Sequence, residues 1–221
     1  LGRARRQAAQ AAIEAHVANL KGKPMRASIA EALAEHPKLG GKERRYVAFA
    51  ARELSRHLRW LELCAKAHGW PSSKLQLTED QAILRYALWR RELTHATPAR
   101  VMVEVSLPGP IRPRSIPDAV ISAELQKGAQ IELGTTPVER AANLHSFPTW
   151  LAQAIFDAAP EGEGEAVLQA LNREPALSFH VRPLGTRDAL MAELTAAGFS
   201  VEAAADLPNG LRHTGDGRAI F

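Results

Sequence analysis

Five basic side chains between positions 45 and 66 have the charge and spacing to bind one anionic ligand together. On one α-helix, at 100° per residue, they fall within a stripe about 80° wide, and apolar residues occupy the opposite face. The five are Arg45, Arg52, Arg56, Arg59 and Lys66. Acidic residues are nearly absent from this stripe, so ion pairs within the helix do not account for it. The pattern predicts a surface that binds phosphate groups, with a merely solvated face as the alternative.

The charge of the chain is divided unevenly between its two ends. Residues 1–70 carry 14 Lys and Arg against 6 Asp and Glu, whereas residues 135–221 carry 6 against 11. Such asymmetry predicts a polyanionic partner for the first part of the chain only. Two further candidate phosphate contacts, Arg112 and Arg114, lie in a proline-rich loop.

Two aromatic residues, Phe49 and Trp60, flank the basic stripe. Each has a ring that can stack on an unpaired base. Packing against neighbouring helices is the simpler interpretation, and we favour it for both residues.

The residues that catalysis requires are missing from this sequence. The single cysteine, Cys64, lies near the apolar face of the same helix, which favours a small core residue over a nucleophile. The glycines near 210 and 215 suit turns between short strands, and no glycine-rich strand-to-helix loop exists. The eight histidines are scattered without metal-ligand spacing. We therefore expect no catalytic, cofactor or metal site in this chain.

The composition is that of a soluble protein, with 46% hydrophobic and 24% charged residues. No apolar run approaches the roughly 18 residues that a membrane span needs, and no secretory signal is present. A lone cysteine also fits a reducing compartment. These features predict a cytoplasmic monomer without a membrane partner. Because the chain begins at Leu1 and ends in an apolar, strand-like run, we expect a fragment of a longer protein.

Helical patterns fill the first part of the chain. The breaker at 21–24 separates predicted helices at 4–20 and 27–36. A long helix over 42–68 carries the basic stripe, and Thr78 is a candidate cap for the next helix. Further helices are predicted at 97–106 and 117–127. Together these elements predict an all-α domain over residues 1–134.

A mixture of helices and strands follows in residues 135–221. Ser146 and Pro148 begin a helix, because the fixed φ of proline suits a first turn. A short helix around 167–171 comes next. Alternating polar and apolar residues predict a strand at 177–182, then a helix at 187–197 and strands at 199–203 and 210–214. This order predicts a small α+β domain with a ferredoxin-like or RRM-like arrangement.

The stretch 144–195 resembles the segment that precedes the catalytic domain in the Sun/Fmu family of bacterial ribosomal RNA cytosine-C5 methyltransferases. The matching residues are Ser146, Pro148, Trp150, Leu151, Leu168, Asn172, Leu177, Val181, Leu184, Leu190 and Leu194. Two positions depart from the family pattern, since His180 replaces the usual Arg and Arg182 replaces the usual Asn.

The helices of residues 1–134 resemble the NusB-like RNA-binding domain that begins many of these enzymes. The Glu43-Arg44 pair at the start of the long helix and the Leu58-Arg59 pair within it match the family motifs. The resemblance implies a fold of an all-α NusB-like domain followed by a ferredoxin-like or RRM-like domain.

The resemblance also implies a function. The chain would be the RNA-binding part of an enzyme that methylates ribosomal RNA, with S-adenosylmethionine bound in a domain that would begin after Phe221. Its partners would be ribosomal RNA and, as a further candidate, a ribosomal protein. Two alternatives stay open: a free-standing NusB-like regulator of RNA and protein, and a helical interaction scaffold without a role in nucleic-acid binding.

Overall fold

A computed structural model describes residues 2–70, 75, 77–105, 121–122, 125–126, 130–173, 177–205 and 207–214. The chain divides into two compact units, Leu1–Asn172 and Arg173–Phe221. The predicted domains meet at residue 134, whereas these units meet at residue 172, because the helices between the two positions pack with the first unit. The boundary at residue 134, between a NusB-like domain and a ferredoxin-like or RRM-like domain, stays a prediction.

The described part of the first unit is helical. Its helices are α1 (Arg3–Leu20), α2 (Met25–Glu35), α3 (Gly41–Arg56), α4 (Leu58–Ala67), α5 (Thr78–Leu88), α6 (Pro98–Val105), α7 (Pro137–Leu144), α8 (Thr149–Ala158) and α9 (Gly164–Leu171). A π-helical turn, Trp89–Leu93, continues α5. The predicted helices at 4–20, 27–36 and 97–106 are confirmed to within two residues at each end. The predicted helix at 117–127 lies mostly outside the described residues.

Helix α1 lies at the centre of the first unit and packs against α2, α3, α5 and α6. Its buried face is built largely of alanine, whose short side chain lets neighbouring helices approach closely. The helix ends where Gly22 adopts a φ of +91°, a left-handed conformation that favours glycine. The predicted break at 21–24 is therefore confirmed.

One residue on the buried face of α1 is polar. His16 is 0% exposed, and neither ring nitrogen has a hydrogen-bond partner among the described residues. Burial, together with the charge of Arg85, lowers the pKa of His16 from 6.5 to about 3. The imidazole is therefore neutral in the folded protein at neutral pH.

The free energy of unfolding should fall as the pH is lowered from about 6.5 to about 3. In this window the unfolded chain protonates His16 and the folded chain does not, which favours unfolding by up to roughly 4 kcal/mol. Urea denaturation across this range should show a flatter pH dependence for His16→Leu. His95→Asn, at an exposed position with φ +52° that asparagine tolerates, is the control. Equal pH dependence in wild type and His16→Leu would contradict this account.

The prediction of one continuous helix over 42–68 is wrong. Helix α3 ends at Arg56, His57 has φ −99° and ψ 22°, and α4 begins at Leu58. In one continuous helix Leu58 would lie on the apolar face, opposite Arg45, yet it is 37% exposed. Neither glycine nor proline marks the break. A distant residue, Ser146, compensates the break by accepting a hydrogen bond from the backbone N–H of Trp60.

The predicted helix opening at Thr78 is confirmed in position, but its hydroxyl makes no capping hydrogen bond. Leu77 occupies the N-cap position instead. Most of α5 is buried, and the core of the first unit forms around it from α1, α3, α4 and α6. The short helices α7, α8 and α9 form a smaller core of their own around Ala142, Ala152 and Leu168.

A buried carboxylate joins four elements of the first unit. Glu104 on α6 is 0% exposed and accepts hydrogen bonds from Arg90 Nε at 2.6 Å and Nη2 at 3.1 Å. Tyr86 Oη donates to it at 2.9 Å, and Tyr46 Oη lies 2.7 Å from Tyr86 Oη. Burial, with Tyr46 and Glu104 nearby, raises the pKa of Tyr86, so this hydroxyl keeps its proton. Tyr46 on α3 must then donate to Tyr86. We call Tyr46, Tyr86, Arg90 and Glu104 the Glu104 cluster.

Glu104→Gln should lower the free energy of unfolding by about 3–5 kcal/mol, because it leaves the buried Arg90 guanidinium without a counter-charge. Arg100→Gln should cost less than about 1 kcal/mol, since Arg100 reaches the same carboxylate at 3.7 Å with a side chain that is 52% exposed. Urea denaturation of both variants compares the loss of the buried carboxylate with the loss of one exposed partner of that carboxylate. Similar losses in the two variants would contradict the prediction.

The second unit contains a three-stranded antiparallel sheet in the order β1 (Ser178–His180), β3 (Gly210–His213), β2 (Val201–Ala203). Helix α10 (Arg187–Ala196) packs against β2 and β3 and ends before Gly198, which has φ +88°. The three predicted strands and the predicted helix at 187–197 are confirmed.

The register of this sheet separates two faces. Phe179, Leu211 and Ala203 are direct cross-strand partners and share one face, on which Leu211 is 0% exposed. The other face carries Ser178 and Arg212, which are both exposed. Because successive side chains alternate, the exposed His180 lies on the same face as Ser178.

A candidate nucleic-acid interface on the helical unit

Helix α3 buries one face and exposes two arginines on the other. Val47 and Leu54 are fully buried, whereas Arg45 and Arg52 are exposed. Neither guanidinium makes a hydrogen bond or ion pair with any described residue. A spacing of seven residues places them on the same side of the helix, about 10 Å apart along its axis. Both are therefore available to an anionic ligand.

Arg56, at the end of the same helix, is already paired. Its guanidinium contacts the carboxylate of Glu53, and His57 Nε2 lies 3.4 Å from the other oxygen of that carboxylate. The hydrogen bond from His57, with the charge of Arg56, holds the pKa of Glu53 below its usual value despite partial burial. Ion pairing therefore contributes to this end of the stripe, contrary to the expectation from the sequence.

Arg59 is directed into the protein. Its Nε donates to Asn143 Oδ1 at 2.5 Å, Nη1 donates to the Phe147 carbonyl at 2.7 Å, and Nη2 donates to Thr149 Oγ1 at 2.9 Å. These three acceptors belong to α7, to α8 and to the loop between them. The planar guanidinium suits this task because its donors have fixed directions. Arg59 thus fastens α4 to the segment 143–149, and its predicted phosphate contact stays a prediction.

The same segment caps α4. Trp60 is the third residue of α4, and its backbone N–H has no acceptor within the helix because the chain breaks at His57. Ser146 Oγ accepts this hydrogen bond at 2.9 Å from a position 86 residues away. Ser146 adopts φ +60°, an unusual conformation for a residue other than glycine. We call Arg59, Trp60, Asn143, Ser146 and Thr149 the Arg59 joint.

Arg59→Lys should loosen α7 and α8, because a lysine ammonium cannot reach all three acceptors. Hydrogen exchange of the amides in these helices should accelerate roughly 10- to 30-fold, from the loss of about 1.5–2 kcal/mol of charged hydrogen bonding. Arg52→Lys is the matched control, since Arg52 has no partner among the described residues. If both variants exchange at the wild-type rate, the joint does not hold α7 and α8 in place.

The structure divides the seven predicted phosphate contacts into distinct groups. It brings Arg45 and Arg52 together on α3, and Lys66 is exposed on α4. Arg56 and Arg59 have partners within the protein. The last two, Arg112 and Arg114, lie outside the described residues.

The two flanking aromatic residues differ in their surroundings. Trp60 packs against the main core, as the favoured interpretation predicts. Phe49 contacts Trp89, with ring centroids 6.2 Å apart, yet 46% of its surface is exposed. It lies four residues after Arg45 and three before Arg52, which places it on their side of α3.

A groove of about 460 Å³ between α1 and α2 is less suited to a charged ligand. Lys21 at its edge pairs with Glu79 at 2.8 Å, and Lys23 pairs with Glu31. The basic groups around this groove are thus already neutralised.

Cys64 is a core residue. It is 0% exposed, and burial, with the charge of Glu92, raises the pKa of its thiol to about 12. A thiol held in its protonated form is a poor nucleophile. Among the described residues, no three His, Cys, Asp or Glu side chains are placed to hold a metal ion. None of the described helices is long and apolar enough to span a membrane.

Comparison with known proteins bears on the sheet-containing end of the chain. Residues 147–217 match the family model described as methyltransferase RsmF/B-like, ferredoxin-like domain. This match confirms the ferredoxin-like prediction and supports the resemblance to the Sun/Fmu methyltransferases. The NusB-like assignment of the helical unit stays a prediction.

A solved structure shares the fold. The crystal structure of PH0851 is similar over 95% of this chain, with a TM-score of 0.61 and 17% sequence identity. The chain spans about half the length of that protein, since the similarity covers 48% of it. No curated protein matches the sequence.

Proposed function

We propose that this chain is the RNA-binding part of a ribosomal RNA (cytosine-C5) methyltransferase. The observation that carries the proposal is the pair of exposed arginines on α3, which have no partner among the described residues, in a chain whose residues 147–217 match an RsmF/B-like ferredoxin-like domain. Arg45 and Arg52 bind phosphates of the ribosomal RNA and release the counterions condensed on them. Lys66 adds a further positive charge on the next helix.

The ferredoxin-like domain positions the target cytosine. The sheet face that carries Ser178, His180 and Arg212 is exposed and offers hydrogen-bond donors to RNA. Arg212 Nη1 lies 3.9 Å from Glu202 Oε1, so this arginine is only loosely held within the protein. Base and phosphate oxygens are suitable acceptors for these groups.

The described residues do not fit S-adenosylmethionine or the attacking thiolate. Among them, no glycine-rich loop leads from a strand into a helix. Its one cysteine is buried with a raised pKa. We therefore assign methyl transfer to a separate domain of the parent enzyme and derive no chemical step from the residues here.

Replacing Arg45 and Arg52 together by Gln should weaken binding to ribosomal RNA about tenfold, or ~1.4 kcal/mol. The slope of log K against log salt should fall in magnitude by about 0.7 for each lost phosphate contact. Fluorescence anisotropy at several salt concentrations measures both quantities.

A matched control removes two exposed arginines from other helices, as Arg26→Gln with Arg140→Gln. This double variant has the same net charge as the first and should bind nearly as the wild type does. Equal losses in both variants would mean that only total charge matters, and an unchanged slope in the α3 variant would refute phosphate binding there.

A second candidate is a free-standing NusB-like regulator that binds RNA and a protein partner, such as a ribosomal protein. The exposed indole of Trp150 on α8 favours a protein contact, since 72% of its surface is accessible. Translation of the reading frame beyond Phe221 distinguishes the two candidates. A methyltransferase domain there supports the first, and an immediate stop codon supports the second.

A further inference from the structure

Phe49 is an apolar ring on a charged surface. It exposes 46% of its area on the face of α3 that also carries Arg45 and Arg52. The covered part of the ring packs against Trp89, while residues such as Ala50 and Leu54 form the fully buried face of the helix.

The Phe49 ring packs against a buried aromatic neighbour, Trp89. The Trp89 ring centroid lies 6.2 Å from that of Phe49 at an interplanar angle of 58°, and Trp89 is only 1% exposed. Trp89 in turn contacts Tyr46 and Tyr86 of the Glu104 cluster, at 6.4 and 5.7 Å between centroids. Phe49 therefore keeps its position with little loss of side-chain entropy when a ligand binds.

Aromatic rings and arginines in this arrangement suit an unpaired nucleotide. An exposed ring stacks on any base whose face is free, and the guanidiniums on either side reach the phosphates of the same strand. In a duplex the bases are stacked on one another, so their faces are closed to such a ring.

We propose that Phe49 stacks on an unpaired base and that the α3 surface thereby selects single-stranded over double-stranded RNA. The inference rests on the proposed RNA-binding function and adds to it the class of RNA that this site takes. Stacking supplies a contact to single strands that phosphate binding by Arg45 and Arg52 does not provide.

The test uses the whole chain with a 12-nucleotide unstructured RNA and a blunt RNA duplex of the same length. Phe49→Leu keeps an apolar side chain but removes the aromatic face. It should weaken binding of the single strand roughly 5- to 100-fold and change duplex binding less than about twofold. Phe49→Trp keeps an aromatic face and should bind the single strand about as tightly as the wild type does. A 2-aminopurine in the single strand should be quenched by the wild type and much less by Phe49→Leu.

Leu58→Ala is the control for an exposed apolar residue elsewhere, since Leu58 is 37% exposed on α4. It should leave both affinities unchanged. Circular dichroism checks that each variant is folded. The stacking proposal is overturned if Phe49→Leu binds the single strand as wild type does, or loses duplex and single-strand affinity equally. In those cases salt-dependent binding through Arg45 and Arg52 still stands. If the wild-type chain binds neither RNA, the proposed function fails as well.

Discussion

The constraint on which the first unit depends is the burial of the Glu104 carboxylate. A charge removed from water must be neutralised and hydrogen-bonded, and here Arg90 and Tyr86 meet that requirement while Tyr46 completes the chain of bonds. These residues come from α3, α5, the π-helical turn and α6. Tyr46 reaches inward from α3, which also buries Val47 and Leu54, so the cluster and the apolar face together set the rotation of that helix about its axis. Arg45 and Arg52 consequently face solvent.

Much of the fold could be predicted from local signals. The Gly22-Lys23-Pro24 breaker, the proline at the start of α6 and the alternating residues around Phe179 each act over a few neighbouring positions. Such signals depend on backbone sterics and on the period of apolar residues, which a sequence displays directly. The exposure of Arg45 and Arg52 also followed from periodicity, because both lie within one uninterrupted helix.

The features that could not be predicted depend on distant partners. The break at His57 has no glycine or proline, and the group that compensates it is Ser146, far along the chain. Arg59 falls on the basic stripe by angle alone, yet its acceptors lie between 143 and 149. The capping box of Thr136 and Glu139, with Pro137 at the first position of α7, is by contrast a local signal that the sequence does display. Hydrogen bonds between residues far apart in the chain leave no comparable pattern in the sequence.

The cap that Ser146 provides for α4 has a consequence for synthesis of the chain. A ribosome must add 86 residues after Trp60 before the Ser146 hydroxyl exists. The amino end of α4 therefore lacks this capping hydrogen bond early in translation. Contacts of such high sequence separation form late, because a long loop must first be closed. The nascent helical unit therefore matures only when the segment joining it to the ferredoxin-like domain has emerged. Completion of the helical unit is in this way coupled in time to the arrival of the part that follows it.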